Sequence, residues 1–248
     1  MYRKKIYEKY LTSDNYKDFD EISEQFETEM HIDQNIIKAL PRDKKSKIID
    51  IGCGYGRWLR YLQKSGYENI TGVDVGKEQN RFLSQKKIPV IESDIINYLE
   101  TTKDRFDVVT CFDVLEHFNK NEIVELLPLV KNILSDRGVL IIRVPNGEAM
   151  FKGGIMYGDF THETFFTQRS LKQILSITGF SEVKTYSLRP IKHGLKSTIR
   201  HYGFCCYEII YRVGILFETG SAANYIATQN LLAVIKNNRW KPETALYK

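Results

Sequence analysis

Two short segments carry carboxylates and imidazoles close together, a combination that acid–base or metal chemistry needs. The first segment is "FDVLEHF" and the second is "YGDFTHETFF". Their ionisable side chains are Asp113, Glu116, His117, Asp159, His162 and Glu163. A histidine that a neighbouring carboxylate orients can accept the proton of a hydroxyl group near neutral pH. The sequence therefore contains two candidate proton acceptors.

The first segment has three interpretations. In the favoured one, Asp113 and Glu116 shape a loop beside a ligand and local hydrogen bonds satisfy His117. In the second, His117 is a general base. In the third, all three side chains bind a divalent cation. We therefore keep His117 as a reserve base and this cation site as an alternative.

The second segment provides the preferred base, His162, with Asp159 and Glu163 as the carboxylates that could orient it. Aromatic residues surround it, and we predict that Tyr157 and Phe160 contact an acceptor molecule. In the alternative interpretation, the histidine and Glu163 cap the following helix and the aromatic rings belong to the core.

The stretch "IIDIGCGYGRWLRYL" predicts a strand, a glycine bend and a helix. A dinucleotide-binding bend has the pattern G-x-G-x-x-G, but Arg57 stands where its third glycine is required. The pattern here is D-x-G-x-G-x-G, which begins at Asp50. A carboxylate beside the bend repels a pyrophosphate and suits a cationic ligand that carries an amine.

Acids at the ends of the next two predicted strands complete this ligand site. Asp74 lies 18 residues after Gly56, near the offset of about 20 residues at which an acid contacts ribose hydroxyls. Asp94 and the backbone of Ile95 could hydrogen-bond an adenine edge. Together these features predict an adenosine with a charged tail and no phosphates.

Short apolar runs alternate with helical patterns from residue 47 to residue 180, which predicts a doubly wound, parallel α/β sheet. The predicted strands are "KIIDIG", "NITGVDV", "IPVIESD", "FDVVTCFDV", "GVLIIRVPN", "SEVKTYSL" and "NLLAVIKN". The predicted helices cover residues 57–65, 77–87, 121–134 and 168–178. Thr167 is the expected N-cap of the last helix, and Pro128 is expected to kink or break the third one.

These motifs resemble class I S-adenosylmethionine-dependent methyltransferases, in which "DIGCGYG", "GVDV", "SDI" and "FDVLEHF" follow one another at this spacing. The resemblance implies a Rossmann-like sheet of seven strands with an antiparallel last strand. It implies S-adenosylmethionine as the methyl donor and S-adenosylhomocysteine as the product. The implied cofactor-binding residues are Asp50, Gly52, Cys53, Gly54, Gly56, Asp74, Val75, Asp94, Ile95, Phe112 and Asp113. A domain for another nucleotide, or a non-catalytic adenosyl-binding scaffold, is the alternative.

The segments "VPNG", "YGDFTHETFFTQRSLKQILSITGF" and "TQNLLAVIKN" resemble bacterial methyltransferases of capsule and O-antigen biosynthesis. That resemblance implies O-methylation of a sugar hydroxyl, or of a phosphate- or phosphoramidate-type substituent of a surface polysaccharide precursor. The predicted substrate-binding residues are Tyr157, Phe160, Arg143, Arg189 and His193.

A second acceptor class remains open. The stretch "DVLEH" is similar to the E-x-x-E-H pattern of ubiquinone-pathway O-methyltransferases, with Asp113 in place of the first glutamate. The alternative function is therefore metal-dependent methylation of a quinone- or phenol-like small molecule. Under the main interpretation we expect no metal.

We predict a single domain with additions. Residues 1–45 form an N-terminal helical cap, residues 46–188 and 229–238 form the core sheet, and residues 189–228 form a helical insertion. Apolar residues from Ile199 to Phe217 recur at helical spacing. This helix could pack on its own sheet, form a homodimer contact or lie on a membrane surface.

Composition limits the remaining possibilities. The net charge of +5 is not gathered into a long basic run, so we expect no nucleic acid partner. The 4 cysteines form no C-x-x-C pair, and no apolar segment reaches the roughly 18 residues that a membrane span requires. The N-terminus lacks the pattern of a signal peptide. We therefore expect a cytoplasmic enzyme with reduced cysteines and a small-molecule or glycan-precursor substrate.

Overall fold

A computed structural model of the chain describes residues 6–7, 32–221 and 225–237. Its strands form a seven-stranded sheet with the order β3-β2-β1-β4-β5-β7-β6. The strands are β1 (Lys47–Ile51), β2 (Asn69–Asp74), β3 (Val90–Glu92), β4 (Phe106–Phe112), β5 (Leu134–Pro145), β6 (Glu182–Ser187) and β7 (Asn230–Lys236). β7 is antiparallel to both β5 and β6. The predicted seven-stranded α/β fold is confirmed.

Helices cover both faces of this sheet. They are α1 (Gln34–Ala39), α2 (Arg57–Lys64), α3 (Lys77–Gln85), α4 (Ile95–Thr101), α5 (Lys120–Ile133), α6 (Gly153–Tyr157), α7 (Gln168–Ile177) and α8 (Leu195–Thr219). A short 3-10 helix, Leu115–His117, follows β4. Thr167 caps α7 as predicted, since its side chain accepts a hydrogen bond from the Ser170 backbone N–H.

The central strands consist of apolar residues because both of their faces are buried. Ile49 and Ile51 of β1 pack into a cluster on one face, whereas Ile48 packs into a second cluster on the other face. Side chains alternate between the faces of a strand, so a strand covered on both sides needs a continuous apolar run.

The strand register brings the predicted chemistry to one edge. Ile51 at the end of β1 lies opposite Val73 of β2 and Cys111 of β4. Phe112 at the end of β4 lies opposite Arg143 of β5. The loops that follow β1, β2 and β4 therefore emerge together, at the carboxyl edge where parallel sheets bind ligands.

Some local predictions are wrong. Pro128 lies inside α5, which runs without a break. Proline removes a hydrogen bond to the carbonyl four residues earlier, but Val124 is about half exposed there, so water can reach that turn. Strand β5 begins at Leu134, directly after α5, rather than at Gly138. Helices α4 and α6 were not predicted.

The insertion forms one helix, α8, which is longer than the predicted amphipathic segment. Asn146, at the end of β5, secures the return of the chain to the sheet. Its buried side-chain amide donates to the carbonyls of Ile226 and Thr228, at 2.7 and 2.8 Å. Among the described residues, no helix has both the length and the apolar character to cross a bilayer.

Most of the predicted N-terminal cap, residues 1–45, lies outside the described residues. The described helical parts of that segment are residues 6–7 and helix α1. Asp33 caps it, and Ile36 is buried against the core. The division of the chain into a cap, a core and an insertion stays a prediction.

Candidate active site

Three glycines with positive φ form the bend after β1. The φ angles of Gly52, Gly54 and Gly56 are 68°, 52° and 68°. A Cβ atom at Gly52 would meet Val114 at 2.5 Å, and one at Gly56 would meet Leu83 at 2.4 Å. At Gly54 a Cβ atom would meet nothing within 4 Å. The outer two glycines thus allow close packing, while Gly54 presents bare backbone to open space.

Asp74, at the end of β2, holds this bend. Its Oδ2 atom accepts a hydrogen bond from the Gly54 N–H and its Oδ1 atom accepts one from the Gly76 N–H, each at 2.8 Å. Burial raises the pKa of Asp74, and these N–H donors counteract the rise. Each carboxylate oxygen keeps a second lone pair, which a ribose hydroxyl can use.

Asp94 is the N-cap of α4. Its Oδ1 atom accepts from the backbone N–H groups of Ile96 and Asn97, at 2.9 and 3.2 Å. The cap holds the start of α4, including Ile95, at the end of β3. Val75, which follows β2, is about half exposed at the same edge. The open backbone, the ribose-side acid and this polar helix start together fit an adenosyl group.

Asp50 lies beneath the bend. Its side chain is buried, and its Oδ1 atom accepts a hydrogen bond from the Thr110 hydroxyl at 2.6 Å. Burial raises its pKa to about 7, although the hydrogen bond from Thr110 opposes this. Cys53 is also buried, and burial raises the pKa of its thiol. The Asp50 side chain therefore links β1 to β4 just before the bend.

Asp113 and Arg143 form an ion pair at the ends of β4 and β5. The Arg143 Nε atom donates to Asp113 Oδ1 at 3.0 Å, and a second guanidinium nitrogen donates to Oδ2. The guanidinium carbon lies 5.1 Å from the centre of the Phe112 ring. Asp113 has a φ of 56°, in the left-handed region. Arg143 thus bonds both oxygens of Asp113, and the group of ligand atoms that lie close together consists of Glu116, His117 and His162.

His117 belongs to a short hydrogen-bond chain. The Thr161 hydroxyl donates to Asp159 Oδ1 at 2.6 Å and contacts His117 Nδ1 at 2.8 Å. Since the hydroxyl proton is used by Asp159, His117 must donate from Nδ1 and keep a lone pair on Nε2. Burial and the neighbouring His162 lower the pKa of His117. The ring is therefore held as a neutral base or ligand.

His162 is set in the same tautomer by a different group. Its Nδ1 atom lies 2.9 Å from the carbonyl oxygen of Met156, which can only accept, so the lone pair is on Nε2. A backbone carbonyl is thus the partner of Nδ1, and the orientation of His162 by a carboxylate stays a prediction. Asp159 accepts a hydrogen bond from Thr161, which in turn contacts His117. The side chain of Glu163 is exposed, and its backbone N–H donates to the Glu116 carbonyl at 2.7 Å.

Glu116 completes a cluster with the two histidines. Its side chain is 1% exposed, and neither carboxylate oxygen has a hydrogen-bond partner in the described part of the chain. Burial raises its pKa well above the ordinary value. Ligand atoms of Glu116, His117 and His162 all lie within 4.8 Å of one another. Such a cluster can share a proton or bind a divalent cation. The sequence motifs did not place His162 beside Glu116 and His117, because His162 lies far from them in the chain.

A cavity of about 710 Å³ opens beside the carboxyl ends of β4 and β5. It is lined by three of the residues predicted to bind the substrate, Arg143, Arg189 and His193. The prediction missed Phe204 and Tyr207, which α8 contributes to the same wall. Tyr157 and Phe160 do not line it and are 72% and 82% exposed. Neither histidine of the cluster lines this cavity, although Arg143 of the Asp113–Arg143 pair does.

Comparison with known proteins decides the family. The family described as "Methyltransferase domain" matches residues 25–185. The chain belongs to this methyltransferase family. The predicted class I S-adenosylmethionine-dependent methyltransferase is thereby confirmed, and S-adenosylmethionine is its cofactor. Binding of this cofactor at the glycine bend stays a prediction.

Solved structures share the fold of this methyltransferase. A SAM-dependent methyltransferase from Archaeoglobus fulgidus superimposes with a TM-score of 0.62 at 23% identity, over 82% of this chain and 90% of that chain.

Curated relatives match the methyltransferase over shorter segments. The ubiquinone biosynthesis O-methyltransferase of Colwellia psychrerythraea is 40% identical over 80 residues, which are 29% of this chain and 31% of the relative. The sphingolipid C9-methyltransferase of Candida albicans is 27% identical over 111 residues, 40% of this chain and 22% of the relative. This chain therefore covers less than one third of the length of either relative.

Proposed function

We propose that this methyltransferase transfers a methyl group from S-adenosylmethionine to an oxygen of a surface-glycan precursor. The acceptor is a sugar hydroxyl or a phosphate- or phosphoramidate-type substituent. The observation that carries this proposal is the cavity beside β4 and β5, where Arg143, Arg189 and Arg200 lie among aromatic side chains. Guanidinium groups pair with phosphate oxygens in a fixed geometry, and aromatic walls suit the faces of a sugar.

The donor site follows from the geometry of the bend. The backbone at Gly54, the carboxylate of Asp74 and the start of α4 at Ile95 would hold the adenosyl group. When bound, S-adenosylmethionine supplies a methyl group on a sulfonium. The chain's own task is to place an acceptor oxygen in line with that methyl group and to remove the oxygen's proton.

The proton would pass to His162. Its Nε2 lone pair is available because the Met156 carbonyl holds the proton on Nδ1. His117 stays neutral beside His162 and positions the acceptor. The hydrogen bonds of Asp159 and Thr161 fix the ring of His117. An acceptor that reaches from the arginine-lined cavity past the Asp113–Arg143 pair would bring its oxygen to this cluster.

An acceptor panel tests the proposal. The enzyme is incubated with S-adenosylmethionine and nucleotide-linked sugars, phosphoramidate-bearing precursors, neutral sugars and phenols, and products are identified by the mass of one added methyl group. We expect methylation of an anionic sugar derivative. We also expect Arg200→Gln to raise the KM for that acceptor without changing the affinity for S-adenosylhomocysteine. Methylation of phenols alone would overturn the glycan assignment.

The geometry of Glu116 favours a second candidate, metal-assisted O-methylation of a quinone- or phenol-like acceptor. A buried carboxylate without a hydrogen-bond partner, facing two histidines whose Nε2 atoms keep lone pairs, is a plausible three-ligand set for a divalent cation. Segment identity to a ubiquinone biosynthesis O-methyltransferase supports the same candidate. A cation there would stabilise the acceptor's oxyanion.

Metal removal separates the two candidates. Under the first, chelator-treated enzyme keeps its turnover. Under the second, chelation abolishes turnover, Mn²⁺ restores it, and calorimetry with Mn²⁺ alone shows binding that Glu116→Gln removes. Binding of S-adenosylhomocysteine should survive in both cases, because Glu116 is not part of the donor site.

A further inference from the structure

Helix α8 has two different faces. Its inner face is fixed to the body of the protein: Glu208 is buried and pairs with Arg189 at 2.8 Å and with Arg212 at 3.0 Å. The Tyr211 hydroxyl donates to the Glu148 carbonyl, and the Tyr207 ring stacks on Phe151. The orientation of the helix is therefore set by its polar and aromatic contacts with the core.

The outer face of α8 carries an apolar stripe with a strict spacing. Its members repeat at alternating intervals of four and three residues: Leu195, Ile199, Tyr202, Cys206, Ile209, Val213 and Leu216. All of these side chains are exposed, and the exposed Ile210 and Phe217 border them. We call these nine residues the α8 stripe. Its period of 3.5 residues is the repeat of a helix that packs along another helix.

We propose that the α8 stripe packs against the α8 stripe of a second copy of this chain, antiparallel and centred on Cys206. This inference does not depend on the identity of the methyl acceptor. A shared helix pair would also fix the α8 wall of the acceptor cavity, since Phe204 and Tyr207 belong to that wall.

The size of the stripe suits a stable dimer. Burying side chains of this kind removes roughly 60–120 Å² each. Two copies of the stripe would thus bury roughly 1,000–2,000 Å² in total, which is the range of specific interfaces.

Charge decides the antiparallel direction. Lys196 lies in the first turn of α8, and the Lys192 ammonium lies 5.5 Å from the Tyr202 ring, whereas Glu218 lies in the last turn. An antiparallel pair places these lysines near Glu218 and the helix C-terminus of the second copy, where cations are favoured. A parallel pair would place lysines beside lysines and Glu218 beside Glu218.

The distribution of charged residues on α8 argues against a membrane surface as the partner of the α8 stripe. Helices that lie on membranes expose a charged face to water and carry many lysines or arginines along it. Over the 25 residues of α8 the lysines and arginines are Lys196, Arg200 and Arg212, and Arg212 is paired with Glu208 on the inner face.

Sedimentation of matched variants tests the dimer. We expect twice the monomer mass for the unaltered protein at about 10 µM, and at least about tenfold weaker association for Ile209→Lys. Ile177→Lys is the control, since Ile177 is 69% exposed on α7, outside the stripe. A monomer at all concentrations, or a monomer that binds anionic vesicles through Ile209, would overturn the proposal.

Cysteine cross-linking tests the direction of the pair. In a Cys206→Ser background, Leu195→Cys and Leu216→Cys proteins should form a mixed disulfide dimer when combined and oxidised, because the two positions face each other. Each variant alone should cross-link poorly. Efficient cross-linking of Leu195→Cys with itself would contradict the antiparallel arrangement. Circular dichroism confirms that every variant is folded.

Discussion

The ring of His117 stands edge-on to the ring of His162, with 4.9 Å between their centres. Each ring donates from Nδ1 to an oxygen, so each keeps an Nε2 lone pair. Placing two such rings beside the buried Glu116 costs desolvation energy, which lowers the pKa of His117 and raises that of Glu116. Groups arranged at such cost are typical of functional sites.

Replacement of the proposed base tests its role. His162→Gln removes the Nε2 lone pair while keeping a polar side chain of similar length, so we expect turnover to fall by about 10²–10⁴-fold. The affinity for S-adenosylhomocysteine, measured by calorimetry, should stay within about twofold, because the donor site is formed by other loops. Unchanged turnover would remove His162 from the mechanism.

Turnover should depend on the hydroxyl group of Thr161 rather than on the volume of its side chain. Thr161→Val removes the oxygen that links His117 to Asp159 but keeps the volume, and we expect turnover to fall by about tenfold or more. Thr161→Ser keeps the oxygen and should retain most of the activity. If both variants behave alike in a steady-state assay, the hydrogen-bond chain does not position His117.

Two glycines give a matched test of the donor site. Gly54 and Gly66 both have positive φ and open space at the Cβ position, but Gly66 ends α2 away from the bend. Alanine at either position should cost about 1 kcal/mol of unfolding free energy. Gly54→Ala alone should also weaken S-adenosylhomocysteine binding, by at least about tenfold, because its Cβ would enter the ligand space. Equal binding by both variants would place the ligand elsewhere.

Asp50 should make the protein less stable as pH rises. Its folded pKa of about 7 exceeds the ordinary value of 3.8, so the folded state holds a proton that the unfolded state has lost between these values. Stability therefore falls from about pH 4 to about pH 7 and then levels off.

Comparison with Asp50→Asn isolates this contribution. The introduced asparagine cannot titrate, so the unfolding free energy of Asp50→Asn in urea should rise relative to that of the unaltered protein between about pH 4 and about pH 7, by up to a few kcal/mol. Other acids are common to both proteins and cancel. A difference that stays constant with pH would show that Asp50 has an ordinary pKa in the folded state.

Periodicity and glycine spacing predicted the sheet well. Continuous apolar runs, such as the one at Ile48, Ile49 and Ile51, could only be buried on both faces, and that constraint determines a doubly wound sheet. The bend could also be predicted from the sequence. Three alternate residues there have positive φ, a conformation that glycine adopts without strain. Local rules failed at Pro128, where the overall packing keeps α5 continuous.

The active-site partners could not be read from the sequence. His162 is oriented by a backbone carbonyl, which every residue has and no motif records. Asp113 pairs with Arg143, which is 30 residues away in the sequence, and no motif predicts this pair. Likewise, Phe204 and Tyr207 line the cavity from α8, and the pairing of Glu208 with Arg189 that helps to fix this helix is not visible in the sequence. Such pairings are long-range and depend on the whole fold.

Calorimetry of the purified protein with S-adenosylhomocysteine tests the central claim most directly. If the glycine bend holds the methyl donor, S-adenosylhomocysteine binds saturably at micromolar concentration, Asp74→Asn abolishes this binding, and a pyrophosphate-linked dinucleotide such as NAD does not bind. An absence of heat with S-adenosylhomocysteine, or competition by the dinucleotide for the same bend, would contradict it.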